Sequence, residues 1–379
     1  MSATYRGIFT IPATPFDENY QVDWPGLRSV VDFCVDCSAH GIVWPVNASG
    51  FSTLSDEERL EGMKVVVEQV AGRAPVVLGV QGVSAQHAAM FARRAREVGA
   101  DAVIAMAPYV VKIGDIGNLM AYFRAVAAAA QLPVFIQNHS VGTDMSVAVL
   151  ERLVREIEYV DYIKEETMPV THKITGLMEQ KMPKLKGIFG GAGGRYMLLE
   201  YPRGVAGQMP GCHVTDVMVR YWDALEAGDL AEAKRIYGLL SPLYAIETQC
   251  HGAIYKEVLR RRGVIQSARS RNAAPGAMDE HDHRALDDIL CDLEPLFTWP
   301  GGKPLQYGVH HPEPFDRVTD GTDNDPDVWV ENSLALSCRH TWGSHDAGGY
   351  LMGLNGWAGG AVCGTRSLGE ASSSAAGSW

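Results

Sequence analysis

Short apolar segments alternate with longer amphipathic segments along the first 211 residues of the chain. The short segments are rich in Val and Ile and do not alternate strictly between apolar and polar residues. This pattern is typical of parallel strands whose outer face is covered by helices. Between them, apolar residues recur with helical spacing, as in residues 55–71, 84–98 and 114–130. The eight predicted strands are residues 7–14, 41–48, 75–81, 101–107, 133–138, 160–165, 186–191 and 204–209.

Eight successive β-α units favour an α/β fold of the (β/α)8 or TIM-barrel type over a doubly wound sheet. The helix predicted at residues 55–71 begins with Ser55 and carries Glu58 three residues later, which is a capping-box pattern. Beyond residue 211 the strand pattern stops, and helices are predicted at residues 214–227, 230–250, 254–262 and 279–297. We therefore divide the chain into a barrel at 1–211 and C-terminal helices at 212–297.

The segment 298–379 differs in composition from the rest of the chain. It holds 14 of the 40 glycines and five of the eight tryptophans, and it shows neither strand nor helix periodicity. Such a composition is typical of an irregular, disordered tail. A carbohydrate-binding module and a foreign C-terminus are the alternatives. The prediction is a tail that does not dock on the core of the barrel.

Composition and charge narrow the function classes. The 379 residues carry a formal net charge of −12, and an acidic surface repels phosphate backbones, so no nucleic-acid partner is expected. No apolar run is long enough to span a membrane and the N-terminus does not resemble a signal peptide, so a soluble cytoplasmic protein is expected. The seven cysteines do not indicate a disulfide framework, and no zinc-type spacing predicts a metal site.

The C-terminal ends of barrel strands are where catalytic side chains are expected. Lys164 ends the sixth predicted strand, where partial burial would favour the neutral amine that forms a Schiff base with a ketone. A lysine at the protein surface is the alternative. If the strand continues, Glu166 shares a face with Lys164, whereas Glu165 points to the helix layer. Glu166 is therefore predicted to act as a general base, with a non-catalytic ion pair as the alternative.

Other candidates lie in loops at the same end of the barrel. The turn after the second strand offers a hydroxyl and backbone amides for a carboxylate. The glycine run 190–194 resembles an anion cradle at a helix start, with tight packing as the alternative. Glu200 is a candidate second catalytic carboxylate, and a solvated helix face is its alternative. The predicted substrate-binding residues are Asn47, Ser49, Gly50, Gln137, His139, Gly191 and Gln208.

Four segments carry a family pattern: GIFTIPATPF at 7–16, NASGFSTLSDEER at 47–59, APY at 107–109 and IKE at 163–165. Together they resemble the class I, Schiff-base lyases of the dihydrodipicolinate synthase and N-acetylneuraminate lyase superfamily. The resemblance covers residues 5–297, and the tail has no counterpart in it. It implies that Lys164 is the Schiff-base lysine and that the protein is a homotetramer.

The chain departs from the usual pattern of this superfamily at the proton-relay positions. Ala48 replaces the first threonine after the second strand, Val110 the second tyrosine after the fourth strand, and Gln137 the tyrosine of the fifth strand. A glutamine side chain has no ionisable proton near neutral pH, so it cannot act as an acid or base in place of tyrosine. Another group must then move protons, and Glu166 is the nearest candidate.

These departures look like the sugar-acid dehydratase branch of the superfamily. KEE at 164–166, FGGAGGR at 189–195 and QMPG at 208–211 support the same comparison, and the closest resemblance is to 2-keto-3-deoxy-L-arabonate dehydratases. The resemblance implies dehydration of a small-molecule 2-keto-3-deoxy sugar acid to a 2-keto semialdehyde, with no metal or organic cofactor. A retro-aldol lyase that releases pyruvate is the alternative, and a non-catalytic ligand-binding barrel is a distant one.

Overall fold

A closed barrel of eight parallel strands forms the centre of the molecule. The structure is a computed structural model and describes residues 4–250, 252–271, 278–299, 301–302 and 305–307. The strands pair in chain order, and β1 closes the barrel by pairing with β8. They are β1 (Gly7–Thr10), β2 (Gly41–Trp44), β3 (Val76–Gly79), β4 (Ala102–Met106), β5 (Val134–Asn138), β6 (Val160–Glu165), β7 (Gly187–Gly190) and β8 (Gly207–Gln208).

The predicted (β/α)8 barrel is confirmed, although most strands are shorter than the sequence predicts. The predicted ranges run past the last ladder residue because the loops at the barrel mouth remain apolar. Ile11 and Ala13, for example, follow β1 and are both 2% exposed. Sequence patterns report burial, and at a barrel mouth burial continues beyond the strand.

The described residues form eleven α-helices. The capping box at the start of α2 is confirmed, because Ser55 Oγ accepts the Glu58 amide at 3.2 Å and Glu58 Oε2 accepts the Ser55 amide at 2.9 Å. The helices are α1 (Trp24–Asp36), α2 (Asp56–Val70), α3 (Ala85–Glu97), α4 (Ile116–Ala130), α5 (Val147–Glu156), α6 (Val170–Glu179), α7 (Met197–Glu200), α8 (Thr215–Glu226), α9 (Leu230–Cys250), α10 (Gly252–Arg261) and α11 (Glu280–Leu293).

The strands separate two apolar layers. Side chains such as Phe9, Phe135 and Phe189 fill the barrel interior. Side chains such as Ile136 and Ile188 belong to the layer between the barrel and its helices. Because side chains alternate along a strand, strand register assigns every residue near the mouth to one of these sides.

Two rows of register partners cross the C-terminal ends of β5 to β8 and decide the geometry of the site. Residues of one row are on the inward side of the barrel wall, and residues of the next row are on the outward side, toward the helices. The inward row is Gln137, Lys164, Phe189 and Gly207, and the outward row is Asn138, Glu165, Gly190 and Gln208.

The described contacts continue past the predicted domain boundary at Phe297. The Thr298 amide donates to Asp216 Oδ2 at 2.9 Å, and the ring of Trp299 meets Phe33 edge-on at 5.1 Å between centroids. The Gln306 amide donates to the Arg261 carbonyl at 2.9 Å. The first residues of the predicted tail therefore pack on the barrel and its helices. The rest of the predicted tail, residues 308–379, lies outside the described residues.

Among the described residues, no helix combines the length and the apolar character needed to cross a membrane.

Candidate active site

Lys164 lies on the inward row at the end of β6 and is 2% exposed. Its Nζ lies 3.1 Å from Glu166 Oε2. The alternative of a lysine at the protein surface is therefore wrong. A buried amine next to a carboxylate can transfer its proton to that carboxylate and become a nucleophile.

Three hydrogen bonds hold Glu166 beside Lys164. The Glu166 amide donates to the Asn138 carbonyl at 3.0 Å, which extends the pairing of β5 and β6 one step beyond the strand. Gln137 Nε2 donates to Glu166 Oε2 at 2.7 Å, and the Ala192 amide donates to Oε1 at 3.2 Å. Gln137 thus donates a hydrogen bond to the carboxylate that lies beside Lys164.

The charge state of Glu166 suits a base. Burial raises the pKa of its carboxyl, but the charge of Lys164, the His139 ring and the two hydrogen-bond donors outweigh burial, so the pKa lies below its ordinary value. His139 itself is half-buried directly after β5, and burial lowers its pKa. Its Nδ1 accepts the Val141 amide at 3.0 Å.

Glu165 occupies the outward row and faces away from Lys164. Its Oε1 accepts the Thr167 amide at 2.7 Å and the Thr167 hydroxyl at 2.5 Å, and its Oε2 accepts Asn138 Nδ2 at 2.8 Å. Burial raises the pKa of Glu165 even with these donors. This carboxylate ties the ends of β5 and β6 together on the helix side of the wall.

The glycine run after β7 packs tightly around protein carboxylates. A Cβ on Gly191 would collide with the Glu166 carboxylate, so only glycine allows this approach. The Ala192 amide then donates to Glu166. The glycine run therefore does present a backbone donor to an anion, as predicted. In this structure that anion is the carboxylate of Glu166. The alternative of tight packing is confirmed at Gly191.

The predictions for Glu200 and Gln208 are corrected by the structure. Gln208 lies on the outward row, and its Nε2 donates to Glu200 Oε2. Both side chains press against the outward side of Gly190, and both are 0% exposed. Glu200 is thus neither on a solvated helix face nor in the barrel mouth. It lies behind the barrel wall, where burial raises its pKa to about 7.

The turn after β2 lies on the opposite side of the barrel mouth, since β2 and β6 are four strands apart in a barrel of eight. Gly50 has φ 75°, a left-handed conformation that favours glycine and completes the turn. Asn47 Nδ2 and Ser49 Oγ are buried and have no hydrogen-bond partner in the described part of the chain. Asn47, Ser49 and Gly50 line a cavity of about 630 Å³ between this turn, α10 and the loop 268–271.

Sequence reasoning missed Lys256, which lies on α10, lines this cavity and is 7% exposed. Nothing in the helical pattern marks it, because a Lys-Glu pair between apolar positions normally predicts a solvated face. Its amine is covered by the Phe16 ring and by the carbonyl of Arg269.

A protein-family model matches most of the chain. Residues 4–290 match the model of the Dihydrodipicolinate synthetase family, so the chain belongs to this family. It is a family of Schiff-base lyases built on the TIM barrel, in agreement with the predicted resemblance.

Individual relatives agree with this assignment. The chain is 30% identical to the L-2-keto-3-deoxyarabonate dehydratase of Azospirillum brasilense over 298 residues, which cover 77% of this chain and 96% of the relative. It is 36% identical to the 4-hydroxy-tetrahydrodipicolinate synthase of Staphylococcus saprophyticus over 168 residues, 44% of this chain and 56% of the relative. The crystal structure of dihydrodipicolinate synthase from Rhodopseudomonas palustris matches with a TM-score of 0.69 and 25% identity, over 76% of this chain and 97% of that one.

Proposed function

We propose that this protein is a Schiff-base hydro-lyase that dehydrates a 2-keto-3-deoxy sugar acid, such as 2-keto-3-deoxy-L-arabonate, to a 2-keto semialdehyde. The observation that carries the proposal is the contact of Lys164 with Glu166, at 3.1 Å, beside a glutamine at position 137. A carboxylate is the only kind of base that this pairing offers, and it touches the amine directly. The similarity to the dehydratase of Azospirillum brasilense covers 96% of that relative, which supports a dehydration reaction for this chain.

The first step joins the substrate to Lys164. Glu166 takes a proton from the ammonium group, and the free amine attacks the C2 ketone. Glu166 returns that proton to the departing oxygen, which leaves as water once a second nitrogen-bound proton has followed. Lys164 then carries an iminium to C2, and Glu166 is again a carboxylate. The protons therefore balance between these two side chains.

The second step eliminates the C4 hydroxyl. The iminium acidifies the C3 protons because the electrons left behind delocalise onto nitrogen. Glu166 removes one C3 proton and gives an enamine. The enamine electrons then form the C3–C4 double bond while the C4 hydroxyl leaves with the proton held by Glu166. Since Glu200 lies behind the barrel wall, one carboxylate serves as both base and acid in this proposal. Hydrolysis and tautomerisation release the semialdehyde.

The substrate carboxylate binds at the turn after β2. Ser49 Oγ, with no partner in the described residues, and the amides of the turn supply donors for its two oxygens. In this proposal His139, which interacts electrostatically with Glu166, binds a substrate hydroxyl. The steps above use no metal ion and no organic cofactor.

Product analysis tests the proposal against the retro-aldol alternative. The wild-type protein is incubated with a panel of 2-keto-3-deoxy pentonates and hexonates, and products are identified by mass. A semialdehyde formed without pyruvate supports dehydration. Pyruvate with an aldehyde shows cleavage of C3–C4, which overturns the proposal. Absence of a borohydride-trapped adduct with pyruvate overturns both and favours a non-catalytic barrel.

We also propose that the protein is a cytoplasmic homotetramer whose partner is its small-molecule 2-keto acid substrate. The resemblance to the superfamily supports the tetramer. Light scattering of the full chain after gel filtration gives its mass directly, and a monomeric or dimeric mass contradicts this proposal.

A further inference from the structure

The cavity beside the turn after β2 contains a buried ammonium group. Lys256 is 7% exposed, and its Nζ lies 4.3 Å from the centroid of the Phe16 ring. Nζ also donates to the Arg269 carbonyl at 2.9 Å. An ammonium group has three donors, and neither a ring nor one carbonyl neutralises its charge. A buried cation with so little compensation is costly unless an anion reaches it.

Among the described residues, other buried cations form an ion pair with a carboxylate, with one exception. Lys164 pairs with Glu166, Arg261 with Glu257, and Arg262 with Asp216. Arg59 is the exception: it donates to the Gln81 carbonyl and lies 3.6 Å from the Phe91 ring centroid, but it does not line the cavity. In the part of the chain that the structure describes, Lys256 has no carboxylate within ion-pair distance.

The other charged side chains around the cavity either form ion pairs with residues that do not line it or are positive. Arg271 pairs with Glu58, and Glu257 pairs with arginines of its own helix. His283, from α11, lies 3.7 Å from Glu257. Arg269 adds a further exposed cation. The charge not neutralised inside the cavity is therefore positive.

The unpartnered polar groups of the cavity favour an anion as well. Ser49 is 3% exposed, and its Oγ has no partner in the described residues. Asn47 Nδ2 is buried and also lacks a partner there. Asn47 and Ser49 line the same space as Lys256, and its volume of about 630 Å³ is large enough for a sugar acid.

We propose that the cavity between the turn after β2 and helix α10 is a carboxylate-binding site in which Lys256 supplies the positive charge and Ser49 and Asn47 supply further donors. The occupant is a small hydroxy or keto acid. Its carboxylate is that of the substrate bound to Lys164, or that of a second, free acid. The inference depends on the cavity and holds for a dehydratase and for an aldolase alike.

Calorimetric titration of the full chain with L-arabonate tests the site. This sugar acid has no ketone and therefore binds without forming an iminium. Lys256→Met keeps the length of the side chain and removes its charge. Loss of a charge-assisted contact is expected to weaken binding about tenfold or more. Lys234→Met, at an exposed lysine of α9 outside the cavity, is the matched control and should bind L-arabonate as the wild type does.

The pH dependence gives a second readout. Burial and the charge of Arg271 lower the pKa of Lys256 to about 7. The ammonium form is therefore lost as pH rises through this value, and binding to the wild type should weaken between pH 6 and pH 8. In Lys256→Met this part of the pH dependence should disappear. Glu257, Arg269 and His283 also face the cavity, so the comparison is between variant and wild type at each pH.

Two results overturn the site. One is an unchanged affinity for L-arabonate in Lys256→Met, and the other is no binding to the wild type. If Lys256→Met fails to fold, Ser49→Ala replaces it, because this change removes one donor and leaves the lysine in place. The rate of borohydride trapping of pyruvate on Lys164 distinguishes the sources. Competition by L-arabonate assigns the site to the substrate carboxylate, and trapping that L-arabonate does not slow assigns it to a free acid.

Discussion

Glu165 and Glu166 are adjacent in the chain, yet their carboxylates lie on opposite sides of the barrel wall. Glu166 contacts Lys164 inside the mouth, and Glu165 is bound by Asn138 and Thr167 on the helix side. The pKa of Glu166 is lowered, mainly by the charge of Lys164 acting against burial, and that of Glu165 is raised by burial. The same residue type thus contacts the lysine at one position and links two strands at the next.

The first prediction separates these two carboxylates. Glu166→Gln retains the size of the side chain and removes the base. We expect it to slow exchange of the substrate C3 protons with deuterated water about 100-fold or more, the usual contribution of a general base. Exchange is followed by proton NMR. Glu165→Gln is the matched control and should exchange at nearly the wild-type rate. The opposite ranking of the two variants would contradict the role of Glu166.

The second prediction concerns the covalent intermediate. Borohydride reduction in the presence of pyruvate should add mass to one peptide, the one that contains Lys164. Lys164→Ala should lose both the adduct and turnover, because it removes the nucleophile. Peptide mass spectrometry identifies the site, and circular dichroism checks the fold. Lys256 is the informative comparison, and labelling of Lys256 in place of Lys164 would overturn the assignment.

The third prediction concerns the residue at the position of the superfamily tyrosine. Gln137→Leu removes the 2.7 Å hydrogen bond to Glu166 and leaves the carboxylate in place. A hydrogen bond to a charged group contributes about 1.5–3 kcal/mol, so we expect turnover to fall about tenfold or more. Pyruvate should still be trapped on Lys164. Unchanged turnover would show that Gln137 does not orient the base.

The inward and outward rows show how far the sequence determines the site. Alternation along β6 is enough to predict that Lys164 and Glu166 share a face and that Glu165 does not. Glu200 was misplaced because it lies on the short helix α7, where strand alternation does not apply, and Gln208 because its strand, β8, is only two residues long. Only the pairing of β8 with β7 puts Gln208 on the outward row.

Lys256 illustrates a different limit. Its helix, α10, has an ordinary amphipathic pattern, and the groups around its amine come from Phe16, much earlier in the chain, and from Arg269, 13 residues later. Contacts between elements distant in sequence leave no local periodicity. The position of Trp299 on Phe33 escaped prediction for the same reason.

The fourth prediction concerns the start of the tail. A chain that ends after Phe297 loses the contacts of Trp299 with Phe33 and of Gln306 with Arg261. A chain that ends after Tyr307 keeps them and should unfold at the wild-type temperature. Trp299 is partly buried and so contributes part of the about 1.5–3 kcal/mol of a fully buried apolar side chain, and the shorter chain should therefore unfold at a lower temperature. Calorimetry measures both, and equal unfolding temperatures would show that these contacts do not stabilise the barrel.

The fifth prediction uses the carboxyl behind the barrel wall. Burial raises the pKa of Glu200 from 4.5 to about 7, so the folded protein binds a proton that the unfolded chain releases between these values. Stability from this group is therefore full below pH 4.5 and is lost as pH rises through about 7. A proton on Glu200 also compensates two buried acceptors that otherwise lack partners in the described residues, Glu200 Oε1 and Gln208 Oε1.

Glu200→Gln places an amide donor at position 200 at every pH and removes the titratable carboxyl. The free energy of unfolding of the wild type should fall relative to that of the variant between pH 5 and pH 8, by up to about 3 kcal/mol at 1.36 kcal/mol per pKa unit. Urea unfolding at both pH values measures the difference. Taking the difference also cancels Lys256, whose lowered pKa makes stability rise with pH from about 7 upward, the opposite sign to Glu200. Parallel pH profiles of the two proteins would mean that Glu200 is ionised in its buried position. A variant with normal turnover at pH 7 would agree with a carboxyl that never touches the substrate.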